Sequence, residues 1–440
     1  MPLTKNVHKQ TIDKMKMDIL KSVAVLAISL VAAKSNAQTN TGGSGTGPDY
    51  TTITTAVPFM RISPDARSGG MGDVGIAISP DANAQYWNLS KLAMAEQEAG
   101  VSVTYTPWLK DLVPDIFLAY ISGYAKFGEE DNKNQAVSFG LRYFNLGSIN
   151  YTNVDAQPIG TGNPREFAFD IGYSRKLSDN LAIGVAGKVI HSNIINGAAN
   201  QNGSTYKPGT SAAVDLGMFY TKEFKANEQT GLASSINAGL SLTNLGNKMS
   251  YGSGRKDFLP TNLGLGIAYN YNIDEFNKIT FALDANKLLA PSPHWVYIDS
   301  TDDYSFIDVE KINNKSVVSG ILGSFSDASG GASEELKEVM LSFGAEYAYQ
   351  NQFFARAGYF YESRMKGDRR FLSLGVGVKY SMFGLNLAYV VPSGSGIARN
   401  PLSNTVRFSL IFDVDKLNTI LLPNGKDAKK DPKKEARNKK

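Results

Sequence analysis

The sequence predicts an all-β fold, a transmembrane antiparallel β-barrel of about fourteen strands. Three observations carry that prediction. From Ala99 onward, large apolar side chains alternate with small ones at period two through most of the chain. The second face of each segment is Gly, Ala and Ser with an occasional charge, whereas a soluble sandwich turns long charged side chains outward. The connections are short and long in turn, the asymmetry expected of barrels that cross an outer membrane.

The N-terminus reads as an export leader. Lys14, Lys16 and Lys21 precede the apolar run SVAVLAISLVAA, and Ser35-Asn36-Ala37 puts small residues where a signal peptidase inspects the chain. The run is too short for a permanent transmembrane helix. Cleavage is expected after Ala37, with Met15 or Met17 as alternative translation starts, so residues 1–37 are assigned as a signal peptide. TNTGGSGTGPDYTT then opens residues 38–97 as a flexible linker.

Within that region, Gly70-Met71-Gly72-Asp73-Val74-Gly75 matches the dinucleotide-binding fingerprint. The match carries chemistry only between a buried strand and a helix whose N-terminus faces the phosphates. Pro58 and Pro64 interrupt any central strand before it, and Pro80 stops a helix after it. A lone match of this pattern is weak, and the rest of the chain decides what the glycines serve.

Strands are expected to start near Glu98, Asp115, Gln135, Glu166, Leu181, Thr210, Ser234, Thr261, Asn277, Glu338, Gln352, Arg370, Leu385 and Asn404, giving a barrel over residues 98–413. In FAFDIGYS, Phe167, Phe169, Ile171 and Tyr173 share one face, opposite Ala168, Asp170, Gly172 and Ser174. LAIGVAGKV and TNLGLGIAYNYN repeat the pattern. Short links fall at 178–180, 272–276, 349–351 and 381–384, and long ones at 147–165, 195–209, 246–260 and 291–337, the last containing the helical piece SEELKEVM. Tyr347, Tyr349, Tyr359, Tyr361, Tyr380 and Tyr389 recur towards strand ends, where aromatic girdles belong. Two soluble sandwich domains, the competing reading, leave that recurrence unexplained.

Composition narrows function. No Cys is present, which excludes disulfides, thiolate metal sites and a cysteine nucleophile. Only His8, His191 and His294 could supply imidazole, so no metal, cofactor or catalytic residue is assigned. The formal charge of +4 conceals six Lys and two Asp in residues 1–37, and eight basic against three acidic residues in 424–440. The body between them is mildly acidic. The basic tail, residues 414–440, lacks interleaved aromatics and reads as a solvated periplasmic end, with no nucleic acid as partner.

The block MRISPDARSGGMGDVGIAISPDANAQYWNLSKLA, residues 60–93, resembles the N-terminal plug of the FadL-type outer-membrane barrels. There a Gly-rich segment leads to an Asn-Pro-Ala element and then the first strand; here Asn88-Leu89-Ser90 stands in its place. Together with YTPWLKDLVPDIFLAYISGYAKF, residues 105–127, and the strand layout, the chain resembles the PorV (LptO) family of the Bacteroidota type IX secretion system. The resemblance implies a FadL-like barrel with a plug in its lumen. Gly69, Gly70, Gly72 and Gly75 would allow close approach to the wall. Asp65, Arg67, Asp73 and Asp81 are expected to meet lumen-facing polar residues such as Arg356, Lys379 or Arg407, with Asn88 among the plug residues.

It also implies a non-enzymatic outer-membrane protein with both termini periplasmic. Its partners would be the C-terminal signal domains of secreted cargo, a large outer-membrane translocon barrel, a sortase-like surface attachment complex, and outer-membrane lipid. Candidate contacts in the long loops are Trp108, Leu109, residues 194–208, Trp295, Tyr297 and Arg399, since exposed aromatic and Arg positions anchor interfaces. Charges on the small-residue face, Asp170, Asp215, Asp284, Lys188 and Glu346, are read as paired charges binding lumen to plug. A FadL-like transporter of hydrophobic small molecules is the alternative function; it predicts an apolar pocket behind the plug and a strand kinked open sideways. A hydrolase would have only His191 beside Ser192, and adjacent strand residues point to opposite faces.

Overall fold

Period-two alternation forces each segment to bury one face, and a ring of antiparallel strands satisfies the backbone at the same time. The computed structural model describes residues 51–108, 115–129, 132–152, 155–194, 207–224, 232–252, 254–298, 303–307, 312, 314–391 and 404–414. In chain order the strands are β1 (Ala99–Pro107), β2 (Ile116–Glu129), β3 (Asn132–Leu146), β4 (Ile149–Thr152), β5 (Pro158–Gly162), β6 (Arg165–Lys176) and β7 (Leu181–Asn193). Next come β8 (Gly209–Glu223), β9 (Ser235–Gly246), β10 (Met249–Ser250), β11 (Lys256–Asp257), β12 (Asn262–Asn272) and β13 (Asn277–Leu288). The chain continues with β14 (His294–Ile298), β15 (Asp303–Ile307), β16 (Val339–Tyr349), β17 (Phe353–Tyr361), β18 (Arg370–Tyr380), β19 (Phe383–Val390) and β20 (Val406–Val414).

Fourteen of these form a closed barrel in the order β1-β2-β3-β6-β7-β8-β9-β12-β13-β16-β17-β18-β19-β20. Closure runs from Ala99 opposite Val414 to Tyr105 opposite Phe408. The expected starts agree closely, the largest displacement being β3, which begins at Asn132 instead of Gln135. The remaining strands form three two-stranded ribbons, β4 with β5, β10 with β11 and β14 with β15. They lie in connections that carry no period-two signal of strand length, so sequence periodicity passes over them.

The barrel is apolar outside and polar within. On β6, Phe167, Phe169, Ile171 and Tyr173 are exposed while Ala168, Asp170 and Ser174 are buried. All six girdle tyrosines named above are exposed. Inside out relative to a soluble protein, this distribution suits a wall immersed in hydrocarbon. Short turns gather at one rim and the long connections at the other, and the inward face of the wall meets residues 51–98.

Candidate functional site

The N-terminal segment is built from single helical turns because its glycines and prolines permit little else. A one-turn helix at Ala66–Gly69 is capped by Asp65, whose carboxylate accepts from the Ser68 amide at 2.8 Å. Trp87 Nε1 donates to the other oxygen of Asp65 at 2.7 Å, tying this turn to the helical turn Ala84–Trp87. A 3₁₀ stretch, Leu89–Met94, follows; Asn88 accepts from the Ser90 amide at 3.3 Å and donates to the Met218 carbonyl of β8 at 3.0 Å.

Charges then join this segment to the wall. Arg67 donates to Glu346 of β16 at 2.9 and 3.0 Å and to Asp81 at 3.1 Å. Glu346 also accepts from Arg356 of β17 at 2.6 Å. Asp73 pairs with Arg407 of β20 at 3.1 Å. Asp284 of β13 accepts from the amides of Gly75 and Ile76 at 2.7 and 2.9 Å, and Gln85 donates to Asp170 of β6. Lys91, fully enclosed, donates to the carbonyls of Gly75 and Ile78 at 2.5 and 3.1 Å. Lys379, by contrast, pairs within the wall with Asp413 at 2.6 Å. Lys188 does the same, meeting Asp215 at 2.7 Å where β8 and β9 slip register, and Asn244 at 2.9 Å.

The glycines of the fingerprint serve contact. Gly72 has φ +70°, and a Cβ there would sit 2.5 Å from the Tyr359 backbone nitrogen of β17. A Cβ on Gly75 would strike the Trp87 ring. The amides of Gly75, which closes the motif, and of Ile76 after it are taken by the Asp284 carboxylate, the place a phosphate would need.

Two cavities of about 90 and 260 Å³ border this segment. The smaller is lined by residues including Arg61, Asp73, Lys188 and Arg369, the larger by Arg67, Asp81, Glu346 and Lys379. Met60, Ile76, Tyr86, Trp87, Met340 and Phe360 also line the smaller cavity, and every strand of the wall keeps both neighbours.

At the long-connection rim a second charged network holds the loops. Lys366 donates to Glu334 at 2.6 Å and Glu338 at 2.9 Å, and Lys287 to Glu335 and Glu338 at 2.9 and 2.5 Å. Glu362 pairs with Arg369 at 2.7 Å and Arg61 at 3.3 Å. Burial alone would push the Glu334 carboxyl up, but hydrogen bonds from Lys366, Thr51 and the Gly330 amide outweigh it and hold the group at about 2. Glu338 and Glu362 are likewise held below the ordinary carboxylate range, burial being outweighed by Lys287, Ser292 and Lys366 at the first and by Arg369 at the second.

This framework carries a feature that aromatic and Arg markers miss. On the helix Val317–Gly323, Val318 and Leu322 are exposed on one face, continued by Phe325, and Leu336 on the helix Ala332–Lys337 is 75% exposed. The spacing of 318, 322 and 325 in VVSGILGSF was the available signal. Of the contacts expected from sequence, Trp108 is half-buried and packs against Met340, Phe360, Phe371 and Val390 in the barrel mouth. Trp295 and Tyr297 lie on ribbon strand β14. Leu109 and Arg399 lie outside the described residues. His191 and Ser192 face opposite sides of β7, the first bonded to Thr210 at 2.9 Å and the second donating to Glu166 at 2.6 Å.

A fourteen-stranded closed barrel with an apolar exterior and a lumen occupied by its own N-terminal segment defines an outer-membrane β-barrel protein. Its sequence matches the type IX secretion system protein PorV over residues 46–295, more than half of the chain, and the chain belongs to the PorV family. Among solved structures, the toluene transporter TbuX of Ralstonia pickettii aligns with TM-score 0.45 and 11% identity over 80% of this chain and 98% of its own. The Pseudomonas putida toluene transporter TodX gives 0.44 and 12%, covering 80% and 98%. A Pseudomonas aeruginosa FadL homologue gives 0.38 and 12%, covering 83% and 99%. No curated protein matches the chain.

Proposed function

We propose that this component of a type IX secretion system binds the C-terminal signal domain of secreted cargo at the outer-membrane translocon and delivers it to a sortase-like surface attachment complex. Membership of the PorV family carries the reading. In it the long connections face the cell exterior and the short turns, with the C-terminal tail, face the periplasm. The barrel anchors and orients; the long-loop rim recognises. Support comes from the exposed apolar side chains Val318, Leu322 and Phe325 at that rim, and Leu336 is exposed on a second helix whose Glu334 pairs with Lys366. Such a patch on an ordered frame is what a folded partner domain can dock on.

The test is affinity purification of the tagged protein from detergent-solubilised outer membranes, with mass spectrometry of co-purifying chains. Surface proteins sharing a C-terminal β-domain, together with a very large barrel or a sortase-like protease, are the expected result. Recovery of the barrel alone with a bound apolar molecule would move the function to hydrophobic uptake, the alternative reading.

A further inference from the structure

Thr51 and Glu98 bound the lumenal segment, and they sit at opposite rims. The Thr51 amide donates to the Met365 carbonyl at 2.8 Å and its hydroxyl to Glu334 at 2.7 Å, both acceptors lying in the long-loop network. Ile53 is buried with Phe258, Leu288 and Ala290 at the tops of β12 and β13, and the Ala56 amide donates to the Phe258 carbonyl at 2.9 Å. At the other end, the Glu98 amide donates to Val414 at 3.0 Å, and Lys126 to the Ala95 carbonyl at 2.6 Å, beside the short turns. The segment therefore threads the whole depth of the barrel before β1 begins.

We propose that the chain enters its own barrel from the extracellular side, so that residues 51–58 form a strap belonging to the cell-surface face. The strap concerns residues 51–58; the N-terminal end itself lies outside the described residues. The side assigned to the strap rests on the orientation proposed above; the threading does not. Thr52, Thr54 and Pro58 are exposed along the strap, while Thr51, Ile53 and Phe59 fasten it. The strap thus offers polar positions directly beside the loops assigned to cargo.

The chain contains no Cys, so a single introduced thiol reports position without background. Thr52→Cys and Thr54→Cys are compared with Lys256→Cys on ribbon strand β11 and Asp179→Cys in the short turn between β6 and β7, all exposed positions. Intact cells are treated with a membrane-impermeant maleimide, then again after the outer membrane is opened. Expected is labelling of Thr52→Cys, Thr54→Cys and Lys256→Cys in intact cells, with at least tenfold less at Asp179→Cys until opening. Strap thiols that label only with Asp179→Cys overturn the threading and leave the orientation standing. If Lys256→Cys and Asp179→Cys exchange behaviour while the strap still follows Lys256→Cys, the extracellular assignment falls and the threading stands.

Discussion

Arg67 and Glu346 meet through two parallel bonds, Nε to Oε2 at 3.0 Å and Nη2 to Oε1 at 2.9 Å. That fork joins a one-turn helix in the lumen to a strand separated from it by most of the chain. Bidentate geometry fixes orientation as well as distance, so the pair sets how the segment sits against β16.

Replacement of Arg67 by Met is expected to destabilise the folded barrel by about 3 kcal/mol, the lower end for removing one partner of a buried pair, since Arg356 still holds Glu346. Urea unfolding in detergent micelles reads this directly. Combining it with Glu346→Gln should cost less than the two single changes added, the non-additivity of residues in contact.

Gly72→Ala and Gly187→Ala should separate sharply. At Gly72 the added Cβ meets the Tyr359 backbone and φ is +70°, whereas at Gly187 nothing lies within 4 Å. A loss of about 2 kcal/mol or more is expected at Gly72 and a change within about 0.5 kcal/mol at Gly187, by the same unfolding assay.

Acid should loosen the long-loop rim before it touches the wall. Glu334 has a folded pKa held at about 2. Its unfolded value is about 4.3. A depressed carboxylate contributes stability that is complete above the unfolded value and is lost as pH falls through the folded one. Hydrogen-exchange protection of the Gly330 and Glu334 amides should thus be constant above pH about 5 and decline towards pH 2, with the strand amides of β16 retained. Lys366→Met should move the decline to higher pH.

Ile171, 58% exposed near the middle of β6, faces lipid in this architecture. Ile171→Arg is expected to cost about 2–4 kcal/mol on folding into lipid vesicles, the penalty for a cation at the bilayer midplane. The change should be much smaller in a rim position such as Lys256→Arg.

Leu322→Ser with Phe325→Ser should reduce co-purified cargo at least fivefold while leaving the urea midpoint within error. Both side chains are exposed, so their removal opens no cavity. Equal cargo recovery from this variant would take the docking role away from the Val317–Gly323 helix.

The wall was legible because its signal is repeated: Phe167, Phe169, Ile171 and Tyr173 alternate with residues too small or too polar for any other use, and this recurs strand after strand. The lumen was less legible. Asp65, Arg67 and Asp73 could be marked as needing partners, but pairing Asp73 with Arg407 crosses more than three hundred residues and depends on barrel closure, which one sequence does not encode locally. Arg356, Lys379 and Arg407 look alike on their strands, yet Arg356 bonds Glu346 and Asn386 and Lys379 bonds Asp413, all on the wall, while Arg407 pairs with Asp73 of the segment. At the rim, Trp and Arg markers point to Trp108, and that side chain is packed into the mouth. Val318 and Leu322 carry no such marker, because aliphatic residues on a short helix ordinarily face a core.

Pairing of β1 with β20 means that the wall ends nowhere, and each of its strands has its main-chain groups engaged on both sides. The ribbons β4 with β5 and β14 with β15 have two strands each, so among the described residues every one of those strands keeps an outer edge. Such edges are templates on which an arriving strand can extend a sheet. Both ribbons stand at the long-connection rim. Among the described residues, a partner approaching through lipid meets a wall whose strands are paired on both sides, while one approaching over that rim meets the outer edges of the ribbons, so direction of approach is itself selected by the backbone.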